Sequence, residues 1–109
     1  MIRVTIFRDS ENNYIGFKLA GHAGYADRGQ DIICAAASVL SLNTVNSIGK
    51  LTEDNYLGES DEEHGILKFK FTDKISPESR VLMKSFVLGM ETIQKEYGTK
   101  YIKILFREV

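Results

Sequence analysis

The sequence predicts an α+β fold with the element order β-β-α-β-β-α-β, and three observations carry that reading. Five short segments read as strands, four of them alternating apolar and polar side chains with a period of two, the signature of half-buried strands. Two longer segments repeat apolar residues at helical spacing, and each opens on a residue that caps helices well. The helical segments divide the strands into a pair, a pair and a single. The simplest layering is a mixed or antiparallel sheet with two helices packed on one face.

Ile2 to Phe7 places Ile2, Val4 and Ile6 on one side, and Tyr14 to Leu19 alternates again. The run Asp9-Ser10-Glu11-Asn12-Asn13 between them is turn chemistry, so the two segments predict a hairpin. Beyond Asp31 the period changes. Ile33, Ala36, Ala37, Leu40, Thr44, Ile48 and Leu51 recur at helical spacing, and no charged residue lies between Ile32 and Gly49. A surface helix ordinarily carries charge, so this one is expected to be buried on most sides or covered by a second subunit. Tyr56 to Glu62 and Ile66 to Phe71 predict a second hairpin joined near Glu63-His64-Gly65. Ser76-Pro77-Glu78 opens the second helix with a capping hydroxyl, a proline whose missing N–H is not needed there, and an acid on the positive helix end. Leu82, Phe86, Gly89, Ile93 and Tyr97 make its apolar stripe, Glu91 and Lys95 an outward pair, and Gly98 its stop. Gly89 either lets this helix approach the alanine-rich first one or is a tolerated small residue. Lys100 to Arg107 is the last strand. Phe69, Phe71, Tyr101 and Phe106 read as core.

At 109 residues the chain is a single domain, 1–109, able to bury about 65% of its unfolded surface without a metal or disulfide staple. The net charge of −1, with no Lys/Arg cluster in the sequence, predicts no direct nucleic-acid partner. No signal-peptide pattern or membrane-length apolar run is evident, so no membrane association is expected. The lone cysteine cannot form an internal disulfide, which fits a cytoplasmic location.

That cysteine, Cys34, lies twelve residues after His22. With Asp31 as N-cap, Cys34 is the third helical residue, and its sulfur sits near the positive helix end. A helix N-terminus and an imidazolium both favour thiolate, the nucleophilic form. Taken alone, Cys34 also fits a small buried hydrophobe. As a cap, Asp31 directs its charge at backbone N–H groups rather than at sulfur. Gly24 and Gly29 flank Tyr25-Ala26-Asp27-Arg28, either a mobile lid with Tyr25 and Arg28 touching substrate or a turn needing glycine. Ser38, one turn after Cys34, is placed to hold the loop or a substrate carbonyl, or to satisfy its own helix. Asp27 and Asp31 are the available orienters for His22. His64, at a polar hairpin tip, reads as solvated; no metal site and no cofactor are expected.

Gly21-His22-Ala23, the glycine-rich loop and Asp31-Ile32-Ile33-Cys34-Ala35-Ala36-Ala37-Ser38 resemble the ribosomal-processing cysteine protease family, Prp, over nearly the whole chain. The resemblance implies a bacterial endopeptidase that removes the N-terminal extension of the twenty-seventh large-subunit ribosomal protein. It implies a homodimer with the first helix near the subunit contact, nucleophile and base at Cys34 and His22, and further family positions at Asp31 and Ser38. Gly21, Ala23, Gly24, Tyr25, Asp27 and Gly29 are the remaining candidates for support or substrate contact. Family substrates end their extensions in bulky apolar side chains, which implies an apolar groove. The competing expectation is a non-catalytic, ribosome-associated peptide-binding module in which Cys34 merely packs.

Overall fold

In the computed structural model, which describes residues 1–27 and 30–109, every segment forms the element its pattern predicts. The strands are β1 (Ile2–Arg8), β2 (Tyr14–Ala20), β3 (Tyr56–Asp61), β4 (Ile66–Phe71) and β5 (Ile102–Glu108); the helices are α1 (Ile32–Leu51) and α2 (Pro77–Tyr97). The sheet order is β3-β4-β2-β1-β5, antiparallel throughout except for β1 and β5, which run parallel. The first hairpin is closed by Asp9, whose Oδ1 accepts the N–H groups of Glu11 and Asn13 at 2.9 Å each.

These pairings explain why both helices share a face. β2 and β3 point the same way, and α1 carries the chain between them; α2 does the same between β4 and β5. The two crossings move toward opposite edges of the sheet, and their strands point in opposite directions. Right-handed crossovers therefore bring both helices to the same side. There Val4, Ile6, Phe17, Phe69 and Ile102 meet Ile33, Ala37, Ile48, Met83, Phe86 and Met90, all at most 2% exposed. Phe17 stacks on Phe86 at 4.3 Å and on Phe69 at 5.3 Å between ring centroids.

The α1 face differs from expectation. Ile33, Ala37, Ser41, Thr44 and Ile48 point inward, while Ala36 and Leu51 face outward. Ser41 and Thr44 fit the interior because their hydroxyls donate to the carbonyls of Ala37 and Leu40. Within one chain α1 is not buried on most sides: Ile32, Val39 and Leu42 remain 51%, 68% and 49% exposed. By length and composition α1 could cross a membrane, yet it lies in the core layer. The α2 stripe is rotated slightly, so Met83, Val87 and Met90 are its innermost residues with Phe86, while Leu82, Ile93 and Tyr97 are half-buried. Gly89 does admit close approach, since a Cβ there would stand 2.5 Å from Leu40 Cδ2. Glu91 and Lys95 both face outward but form no ion pair; among the described residues His64–Asp61 is the only one. Phe106 is not core. It keeps 40% exposure beside Tyr14, with the Arg8 guanidinium 5.4 Å from its ring centroid.

Candidate functional site

Asp31 organises the start of α1. Its backbone is extended, one carboxylate oxygen accepts the N–H groups of Ile33 and Cys34, and the other accepts that of Tyr25, all at 3.0 Å. One side chain thus caps the helix and ties the loop after β2 to it. Cys34 is the third helical residue, as the cap position predicts. The Ala23 N–H donates to Cys34 Sγ at 3.2 Å. Ala23 itself is only 3% exposed, so the backbone of the Gly-His-Ala segment rests on the sulfur.

Gly21 and Gly24, on either side of His22-Ala23, hold φ of +97° and +71°. Gly24 has open space around it, so its backbone conformation alone calls for glycine. At Gly21 a Cβ would stand 2.5 Å from the Met1 carbonyl oxygen. The Gly21 N–H extends the β2–β4 ladder by donating to Gly65 O at 3.0 Å, which brings the β3–β4 turn beside His22. A Cβ at Gly65 would lie 3.0 Å from both Cε1 and Nε2 of the His22 imidazole.

His22, Cys34 and Ser38 line one cleft of about 350 Å³. Its apolar wall is Ile2, Leu19, Leu42, Ile66 and Leu67, and its polar rim is Ser60, Asp61 and Glu62. Imidazole and thiol share this cleft without a hydrogen bond between them. Ser38 is exposed and does not bond back to its helix, unlike Ser41 and Thr44, so its hydroxyl is available to the cleft.

The electrostatics of the resting thiol differ from expectation. Burial pushes the Cys34 pKa above the ordinary thiol value, and the nearby charge of Asp31 adds to the rise. The Ala23 N–H opposes this without reversing it. Capping therefore does not remove Asp31 from the neighbourhood of sulfur. The Asp31 carboxyl itself is held below its usual range: burial opposes ionisation, but the N–H groups of Cys34, Tyr25 and Ile33 outweigh it.

Other predicted residues fall elsewhere. Tyr25 does not line the cleft. It packs edge-on against Tyr97 and Tyr101, at 5.9 and 5.2 Å between centroids, and this contact accounts for half-buried Tyr101. Asp27 is exposed and does not orient His22. Gly29 and Arg28 lie outside the described residues. His64 is exposed and paired with Asp61 at 2.8 Å; among the described residues no three His, Cys, Asp or Glu side chains cluster as metal ligands. Sequence reasoning missed the β3–β4 hairpin as a wall of the cleft. The available signal was Gly65, a glycine in an otherwise charged tip.

The comparisons with known proteins point to one family. The family model for cysteine protease Prp matches residues 1–103. A ribosomal processing cysteine protease Prp from Bacillus subtilis is 31% identical over 101 residues, covering 89% of this chain and 90% of that protein. A crystal structure of Prp from S. aureus with a covalently linked product peptide superposes with a TM-score of 0.92 at 27% identity, over 98% of this chain and all of that one. The same S. aureus protease with a substrate peptide gives 0.87 at 26% identity, again over 98% of this chain and 100% of its own.

Proposed function

This chain belongs to the Prp family of cysteine proteases, and on that footing we propose that it removes the N-terminal extension of the twenty-seventh large-subunit ribosomal protein, with Cys34 as nucleophile and His22 as its proton partner. The observation that carries the reading is the shared cleft: a sulfur at a helix N-terminus, an imidazole and an apolar wall long enough for a peptide side chain. The S. aureus relative that holds a covalently linked product peptide supports a covalent route.

His22 takes the Cys34 thiol proton as the sulfur attacks the scissile carbonyl, and the C–N bond breaks as His22 passes that proton to the departing amine. Water, deprotonated by His22, then cleaves the thioester and restores the thiol. The amides of Ile33 and Cys34 are already engaged by Asp31, so they do not serve the oxyanion. The Ala23 N–H does, leaving sulfur as the carbonyl oxygen gains charge; one such donor is typically worth about 2.7–4 kcal/mol of barrier. Ser38, which lines the same cleft, holds substrate by its hydroxyl. Imidazole and thiol share the cleft without a hydrogen bond, so peptide binding brings His22 onto the sulfur, with the backbone turns at Gly21 and Gly24 as the available hinges. The enzyme acts as a cytoplasmic homodimer; the exposed Ile32, Val39 and Leu42 on α1 support a second copy on that face, and sedimentation should give twice the chain mass.

Incubation with the ribosomal-protein precursor, followed by intact mass, tests the assignment. The wild type should release the extension, and Cys34→Ala should hold the precursor uncut. Cleavage by Cys34→Ala would remove Cys34 from the mechanism. The competing reading is a non-catalytic peptide-binding module in which Cys34 merely packs. Under that reading Cys34→Ser keeps full function and the wild type releases no fragment.

A further inference from the structure

The face of the sheet opposite the helices carries cations that lie far apart in the sequence. The strand register arranges its outward residues in three rows. One runs Leu57, Lys70, Gly16, Phe7, Arg107; the next Glu59, Lys68, Lys18, Thr5, Leu105; the third Asp61, Ile66, Ala20, Arg3, Lys103. Each row holds two cations. Lys18 stands directly opposite Lys68, and Arg3 directly opposite Lys103. Like charges at directly opposed positions destabilise a sheet. Among the described residues none of the six cations forms an ion pair, although Glu59 faces Lys68. No helix covers this face, and Arg3, Lys68, Lys70, Lys103 and Arg107 are exposed, with Lys18 half-buried.

A chain of net charge −1 thus concentrates positive charge on one flat surface at a cost to its own stability. The same surface contains a recess of about 440 Å³ lined by Phe7, Leu57, Glu59, Lys18, Lys68 and Lys70. Gly16, between Lys70 and Phe7, puts no side chain beside the ring. Cations bordering an apolar recess with an aromatic flank suit phosphates alternating with flat bases. An acidic peptide would use the charge but not the recess, and a membrane surface would use neither its depth nor its ring.

We infer that the outer face of the sheet binds single-stranded RNA, its phosphates on Lys18, Lys68, Lys70, Arg3, Lys103 and Arg107 and a base against Phe7. The choice of RNA over DNA rests on the ribosomal substrate proposed above; the polyanion site does not. This is opposite to the expectation from net charge, because a sum over the chain hides a cluster that only strand pairing assembles.

The test is fluorescence anisotropy with a labelled RNA of about 12 nucleotides. Wild-type affinity should fall with salt, and Lys18→Gln with Lys68→Gln should reduce the log–log slope by about 1.4 and weaken binding about tenfold. The pair Lys84→Gln and Lys95→Gln makes the same change in net charge on α2 and should leave binding unchanged. Phe7→Leu should weaken binding with the slope retained. The sheet variant should melt no lower than wild type, since it relieves a like-charge contact, so lost binding would not reflect unfolding. Absence of saturable binding, an equal loss in the α2 variant, or tighter binding to phosphatidylglycerol vesicles would overturn the site. Equal affinity for DNA of the same sequence would overturn the assignment to RNA. None of these readouts needs peptide cleavage, so this inference and the protease assignment fail separately.

Discussion

Asp31→Asn separates two roles of one carboxylate. Asparagine keeps an oxygen for the Ile33 and Cys34 amides but turns an NH₂ group toward the Tyr25 N–H, which now donates to Oδ2 at 3.0 Å. One charge-assisted hydrogen bond is lost and a donor faces a donor, a cost of about 2–3 kcal/mol. For a domain of this size each kcal/mol lowers the melting temperature by about 4–6 °C, so calorimetry at neutral pH should find a drop of roughly 8–18 °C. The pH dependence has a definite sign. The native pKa of Asp31 lies below its reference value of 3.8, so its stabilisation is complete above 3.8 and disappears as pH falls through the lower native value. The gap between wild type and variant should close only in that acid range. The thiol should respond in the opposite sense. Removing the Asp31 charge lowers the Cys34 pKa, so iodoacetamide should alkylate the variant severalfold faster at neutral pH. A variant that melts lower yet alkylates no faster would refute the proposed grip of Asp31 on the thiol.

Three further outcomes are expected. Gly65→Ala puts a methyl 2.8 Å from Gly21 O and 3.0 Å from the imidazole at a φ of +62°; it should lose about 1–2 kcal/mol in urea melts and reduce kcat/KM at least tenfold if His22 must stay in the cleft. Gly89→Ala should cost about 1–3 kcal/mol by forcing Leu40 aside while leaving peptide cleavage unchanged, as judged by denaturation and turnover together. Asp54 accepts both the N–H and the hydroxyl of Ser76, at 3.0 and 2.7 Å, and so anchors the cap of α2. Asp54→Ala should destabilise by about 1–2 kcal/mol at neutral pH, and because the hydroxyls of Ser79 and Ser76 at the start of α2 hold that carboxyl below 3.8, the difference should fade in acid.

The two kinds of information in this chain are recorded at different ranges. Alternation in Ile2–Phe7 and Ile66–Phe71, the caps Asp31 and Ser76 and the stop at Gly98 act over a few residues, so the elements and the position of Cys34 at a helix start were legible in the sequence. The motif around His22 and Cys34 likewise pointed to the family. What escaped was set by pairing between distant segments. The β3–β4 hairpin walls the cleft because β4 joins β2, and Tyr25 leaves the cleft because Tyr97 and Tyr101 offer it two ring contacts. The thiol pKa rises because folding buries the sulfur beside Asp31, a balance of desolvation and charge that spacing alone does not record. The cationic face exists only in the strand register, where Lys18 meets Lys68 and Arg3 meets Lys103. Local propensity chose the elements, whereas burial and the register of nonlocal contacts decided which side chains share a site.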